Sequence, residues 1–163
     1  MKLNVGCGTD IREEYINLDI RELPGVDIVC NMMDEEIPLP EESCDKILAK
    51  DILEHFPLDK TDMIITKWWE LLKPRATLHI QVPNTLLNVL QWIKGETKTL
   101  KKTQHITERF SQLIYGKQDY PGNFHYQLFD ESRLEMVLKK NGFGDMEFWT
   151  YGRALCVKAY KNE

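Results

Sequence analysis

Four groups of residues have the types and spacing for small-molecule chemistry. Gly6-Cys7-Gly8 closes a short apolar run, residues 2–5. Glycine lets the chain turn sharply there and lets the backbone approach a ligand with no Cβ in between. Asp19 ends a second apolar run, residues 15–20, with ten residues, Thr9 to Leu18, between it and Gly8. An acid at the carboxyl end of a strand can accept hydrogen bonds from both hydroxyls of a ribose. Asn31-Met32-Met33 follows a third run, residues 26–30. An amide can read the edge of an adenine and a thioether can lie against its face; packing into the core is the other reading of the methionines. The fourth group is the aromatic, turn-rich stretch from Tyr115 to Tyr126, with Tyr120 and His125 as candidate catalytic residues. His125 can serve as a general base near neutral pH or as a structural histidine bonded to a nearby carbonyl. His55 reads as a cap of the Leu53-Glu54-His55 segment and His79 as a structural strand residue, while His105 has no clear partner.

The elements that must position these residues follow from periodicity. Residues 45–50 form a fourth strand candidate. Ile64, Ile65, Trp68, Leu71 and Leu72 make one apolar stripe that predicts a helix over 61–72, stopped by Pro74. Residues 77–82 give a fifth strand, ended by Pro83. A helix over 131–140 is capped by Asp130 and closed by Asn141-Gly142. Residues 145–151 and 154–160, separated by Gly152-Arg153, are close enough to pair as a hairpin. Strands interleaved with helices imply an α/β sheet with ligands at the carboxyl ends of its strands.

Composition narrows the function classes. The 163 residues suit one domain, and 42% hydrophobic with 29% charged residues suits a globular one. A net charge of −5 disfavours bulk nucleic-acid or anionic-membrane binding. Cys7, Cys30, Cys44 and Cys156 are scattered, with no CxxC pair, so neither a zinc site nor a redox couple is expected and no metal ligands are assigned. No apolar signal core follows Met1, and the uncharged run over 76–93 is broken by His79, Gln81, Pro83, Asn84, Asn88 and Gln91. A cytoplasmic protein without a membrane span is expected. A nicotinamide fingerprint needs glycine where Ile11 stands and an acid about 20 residues on, and there is no P-loop.

The order of motifs is more specific than any one of them. Gly6-Cys7-Gly8, then Asn17-Leu18-Asp19, then residues 37–56 (IPLPEESCDKILAKDILEHF), then Leu71-Leu72-Lys73-Pro74, then Val82-Pro83-Asn84 resembles the class I S-adenosylmethionine-dependent methyltransferases, above all the methyltransferase type 11-like group. The likeness covers residues 3–84 and resumes over 128–144, ending in Gly142-Phe143. It implies a three-layer Rossmann-like fold with a mostly parallel seven-stranded sheet and an antiparallel C-terminal strand. It implies S-adenosylmethionine as cofactor, with Gly6, Cys7 and Gly8 near its methionine part, Asp19 on the ribose, Ile20 against the adenine, Asn31 and Met32 at the adenine edge, and Lys50 and Asp51 at the methionine end. Asn4 stands where the family usually has an acid near the cofactor's ammonium group. Asp10 replaces a common third glycine, and Arg75-Ala76 replaces a glycine turn. The short interval before Asp19 leaves room for only a very short first helix.

A single domain over 1–163 is expected, with residues 84–125 inserted after the fifth strand as lid and acceptor site. Leu86, Leu87, Leu90 and Ile93 suggest an apolar helix face there. Lys94, Lys98, Lys101, Lys102, Arg109 and Lys117 outnumber Glu96 and Glu108, a balance that can attract an anionic acceptor or simply face solvent. The expected reaction is methyl transfer to a small-molecule or sugar-type acceptor by in-line displacement, with no nucleic acid and no membrane partner; a homodimer is compatible with this. A non-catalytic scaffold or interaction protein on the same fold is the alternative, kept open by the changes at Asn4 and Asp10.

Overall fold

Alternation along the central strands sets the architecture. In the computed structural model, which describes residues 1–94 and 106–162, every second strand residue enters one apolar layer. Leu3 and Val5 come from β1 (Lys2–Val5), Leu18 from β2 (Ile16–Asp19) and Ile47 and Ala49 from β4 (Cys44–Lys50). Leu78, Ile80 and Val82 come from β5 (Leu72–Pro83), and Leu155, Val157 and Ala159 from β7 (Ala154–Lys161). Two helices close this face. α1 (Thr61–Leu71) inserts Ile64, Ile65, Trp68 and Leu71, and α4 (Glu131–Lys140) inserts Leu134, Val137 and Leu138, spaced as one helical stripe each. Burying each large apolar side chain here contributes about 1.5–3 kcal/mol. The side chain of Asp130 caps α4 by accepting from the Arg133 amide at 2.8 Å. The chain then turns at Gly142, where a Cβ would lie 2.8 Å from Trp69 Nε1.

With β3 (Ile28–Val29) and β6 (Phe143–Tyr151), the strands form one seven-stranded sheet in the order β3-β2-β1-β4-β5-β7-β6. All neighbours are parallel except β7, which runs antiparallel to both β5 and β6. The chain leaves β1 toward one edge and returns beside it as β4 to build the other half. The switch lies between β1 and β4, so a crevice opens beyond their carboxyl ends.

Three local results refine the sequence expectations. The short first helix is absent: residues 6–15 form turns only. Asn17 explains why, because its side chain accepts from the Arg12 amide and donates to the Arg12 and Tyr15 carbonyls, giving the backbone partners that a helix would otherwise supply. This loop lies over the second face of the sheet, where Asn4 donates to the Asp10 carbonyl and to Asn17 Oδ1. The fifth strand starts at Leu72 rather than near residue 77 and runs through Pro74, with a register shift against β4 between Cys44 and Lys46. Arg75 takes a positive φ of 60° at this kink.

After β5, Asn84 caps α2 (Thr85–Ile93) by accepting from the Leu87 amide at 3.0 Å. Trp92 stacks on Phe110 of α3 (Ile106–Tyr115) with ring centroids 4.4 Å apart. Leu86, Leu90 and Ile93 of the expected apolar face are exposed. Glu96, Lys98, Lys101, Lys102 and His105 lie outside the described residues. Among the described residues, no helix is long and apolar enough to cross a membrane.

Candidate active site

Two adjoining cavities occupy the crevice. The first, about 200 Å³, is lined by Gly6, Gly8, Asp19, Ile20, Asn31, Met32 and Asp51 from the strand ends. Arg21, Met33, Ile52, His55 and Phe56 extend it, and Tyr120, Pro121, Gly122 and Tyr126 face it from the segment after α3. The second cavity, about 710 Å³, shares Gly8, Arg21, Asp51, His55 and Tyr120 with the first and continues to Glu54, Gln81, Arg109, Lys117, His125 and Arg153.

The glycines open the first cavity for different reasons. Gly6 and Gly8 both have positive φ, 61° and 54°. A Cβ on Gly6 would lie 2.5 Å from Ile52, so that position must be bare for the protein's own packing. The Gly8 amide donates to Asp19 Oδ2 at 2.7 Å. Asp19 is only 5% exposed, and its Oδ1 accepts from the Arg21 amide and from Arg21 Nε at 3.1 Å. Oδ2 keeps one lone pair beyond the Gly8 bond, while Arg21 occupies the other oxygen. The same guanidinium lies 4.0 Å from the centre of the Tyr120 ring, a cation–π contact. Ile20 is 55% exposed and presents an apolar surface beside the carboxylate.

Of the ten residues expected at the cofactor, seven line this cavity. Asn4, Cys7 and Lys50 do not; they line a smaller one of about 180 Å³ that shares Gly6 and Asp51. Asn4 is held by the loop and Asn17, Lys50 pairs with Asp10 at 3.3 Å, and burial pushes the Cys7 thiol up to about 11. Asn31 is at the cavity wall, but its amide serves its own turn, donating to Asp34 and accepting from the Met33 amide. Met32 is buried in the core cluster and also floors the cavity.

Both expected catalytic residues line the large cavity. Tyr120 has its pKa raised, chiefly by burial. His125 Nδ1 bonds the Leu113 carbonyl at 2.9 Å, which places the proton on Nδ1 and leaves a lone pair on Nε2. That Nε2 lies 4.0 Å from Glu54 Oε1. Burial lowers the His125 pKa, and burial followed by Asp51 raises that of Glu54, so both shifts favour the neutral forms over an ion pair. His55 is not a helix cap. Its ring meets His125 edge-on with centroids 4.8 Å apart, and burial, then His125, lowers its pKa to about 4.

Arg21, Glu54, Gln81 and Arg153 were not among the expected site residues, and Arg109 entered only through the cationic balance of the acceptor segment. Gln81 was legible as a strand-end position; it donates to both oxygens of Asp51 at 3.2 and 3.0 Å. Glu54 and His125 are far apart in sequence, and only the fold joins them. Gln127 ties the two segments together, donating to the Leu53 carbonyl at 3.3 Å, to the Phe56 carbonyl at 2.9 Å and to Thr61 Oγ1 at 2.8 Å. The Tyr126 amide also donates to the Glu54 carbonyl at 2.9 Å.

Residues 3–80 match a family model described as a methyltransferase domain. Nothing matches among curated proteins. Similar solved structures include an S-adenosylmethionine-dependent methyltransferase from Archaeoglobus fulgidus, 14% identical, with a TM-score of 0.68 over 98% of this chain and 85% of that one. A possible histamine N-methyltransferase from Thermotoga maritima is 13% identical, with a TM-score of 0.67 over 99% of this chain and 82% of that one. The 1,6-didemethyltoxoflavin-N1-methyltransferase of Burkholderia thailandensis, solved with 1,6-didemethyltoxoflavin and S-adenosylhomocysteine, is 16% identical, with a TM-score of 0.61 over 99% of this chain and 71% of that one. At these identities the likeness is one of fold.

Proposed function

We propose, from the match of residues 3–80 to the methyltransferase-domain family model, that this S-adenosylmethionine-dependent enzyme methylates a small-molecule or sugar-type acceptor carrying an anionic group. The observation that carries the acceptor assignment is the cavity of about 710 Å³ adjoining the cleft at Gly8, Asp51, His55 and Tyr120. Its size falls within the range of small-ligand pockets.

The smaller cleft fits the cofactor chemically. It offers a buried carboxylate with a free lone pair for a sugar hydroxyl, a bare glycine turn, and apolar surface from Ile20 and Met33 for a flat ring. Gly6, Gly8, Asp19, Ile20, Met32 and Asp51 would hold it. Asp51 also supplies the negative charge near the methionine end that Asn4 lacks. Arg21 must yield Asp19 Oδ1 if both ribose hydroxyls are to bind there. When bound, S-adenosylmethionine supplies a methyl group already activated by its positive sulfur. The protein's remaining tasks are alignment and removal of water.

On the acceptor side, Arg109 and Arg153 line one end of the large cavity. Their positive charges, with that of Lys117 in the same lining, attract an anionic group. At the other end, Tyr120 presents a phenol and His125 a lone pair. Of the expected lid over 84–125, the described residues 109–125 line both cavities and act as the lid.

Titration calorimetry with S-adenosylhomocysteine tests the cofactor site. The wild-type chain should bind, and Asp19→Asn should bind about 10–100-fold more weakly, the loss expected for one charge-assisted contact of about 1.5–3 kcal/mol. Unchanged affinity in a folded variant removes Asp19 from the ribose. No binding by the wild-type chain favours the scaffold alternative.

A further inference from the structure

We propose that Glu54, His55 and His125 form a site for one first-row divalent cation of the zinc, iron or manganese class, in the wall of the acceptor cavity. This deepens the function proposed above and rests on it for the identity of the cavity.

Three observations support the site. One ligand atom from each residue lies within 4.8 Å of the others, and Glu54 Oε1 and His125 Nε2 are 4.0 Å apart. A cation held at about 2.0–2.2 Å by oxygen and nitrogen donors sets tetrahedral ligands about 3.3–3.6 Å apart, so the Glu54–His125 gap must close by about half an ångström and the widest gap by up to about 1.5 Å, with His55 turning from its bonds to the Gly122 and Phe124 backbone. Second, Glu54 is 1% exposed, and among the described residues no other residue donates a hydrogen bond to either of its carboxylate oxygens. A buried carboxylate left this way is costly unless a proton or a cation completes it. Third, the His125 ring is oriented as a ligand. Its Nδ1–H is committed to the Leu113 carbonyl, which fixes the tautomer and aims the Nε2 lone pair at Glu54.

Two imidazoles and one carboxylate suit borderline cations over calcium or magnesium, which prefer oxygen donors. The large cavity is lined by all three residues, so coordination positions left open would face the acceptor. An oxygen of the acceptor, or a water, would fill them. The site therefore selects acceptors with an oxygen donor. Asp51, whose charge acts on both Glu54 and His125, adds attraction for a cation at that spot.

The test uses the full chain, stripped with a chelator and titrated with Co²⁺ and then Zn²⁺. We expect one equivalent of Co²⁺ per chain, with visible ligand-field bands and no thiolate charge-transfer band, since all four cysteines are buried. Zn²⁺ should displace it and raise the Tm. His55→Ala and His125→Ala, checked for folding by circular dichroism, should each bind Co²⁺ at least about 10–100-fold more weakly, and Glu54→Gln should match them. Absence of uptake by the wild type, or uptake by His55→Ala and His125→Ala as tight as that of the wild type, overturns the cation site. S-adenosylhomocysteine titrated into the same stripped protein separates the two claims. Its binding without cation uptake overturns only the metal site, and cation uptake without binding of S-adenosylhomocysteine overturns only the methyltransferase reading.

Discussion

At the scale of single residues, the glycine turn does two jobs that a variant pair can separate. A Cβ at Gly6 would strike the Ile52 side chain at 2.5 Å, on a backbone at positive φ. At Gly8 the nearest atom is the flexible end of Arg21, at 3.3 Å. Gly6→Ala should therefore lose about 1–3 kcal/mol of stability from overpacking and strain, seen as a lower denaturation midpoint without any ligand. Gly8→Val carries the same backbone strain, at a φ of 54°, but meets only the end of Arg21; it should stay folded yet bind S-adenosylhomocysteine much more weakly, because its side chain stands at the junction of both cavities. If Gly6→Ala proves as stable as wild type, the Ile52 contact does not constrain the turn. If Gly8→Val binds normally, the turn is not the cofactor loop.

At the scale of elements, β5 is held at an awkward start. Arg75 adopts a φ of 60° where β5 bends beyond Pro74, a conformation that costs a side chain about 1–2 kcal/mol. Arg75→Gly should stabilise the fold by about 0.5–1 kcal/mol, after allowing for the extra freedom of glycine in the unfolded chain. Chemical denaturation at constant m-value measures it, and a loss of stability would show that the interactions of Arg75 outweigh its backbone cost. The strand's far end tolerates no such looseness. There Gln81 fixes Asp51, itself at a φ of 53°, so backbone strain sits beside the group that lines both cavities.

At the scale of the whole molecule, residues 109–126 line both cavities where these meet. Tyr120, Pro121, Gly122 and Tyr126 line the smaller cleft, while Arg109, Lys117 and His125 line the larger cavity. The Arg21–Tyr120 contact joins this segment to the carboxylate of Asp19. If the segment is a lid, ligand in the cleft should order it. Hydrogen exchange over residues 107–126 should slow on adding S-adenosylhomocysteine, together with that of residues 6–10. Slowing at residues 6–10 alone would mean that 107–126 is a fixed wall and not a lid.

Local signals determined much of the frame from sequence alone. The helix over residues 131–140 was legible because the Asp130 cap and the Asn141-Gly142 stop act within one turn of the chain. The strand ends carrying Gly6, Gly8, Asp19 and Asp51 were legible because apolar runs end abruptly at polar or glycine residues. The helix-free loop over 6–15 was less so, since the bonds of the Asn17 side chain to Arg12 and Tyr15 leave no hydrophobic periodicity to read. Tertiary structure alone decided that Asn4 braces a loop, that Asn31 spends its amide within its own turn, and that Arg21 occupies Asp19. It alone brought Glu54 and His55 against His125. Those partners meet because a parallel sheet stacks the ends of separate strands at one edge, and contacts between segments so far apart in the chain leave no spacing to read.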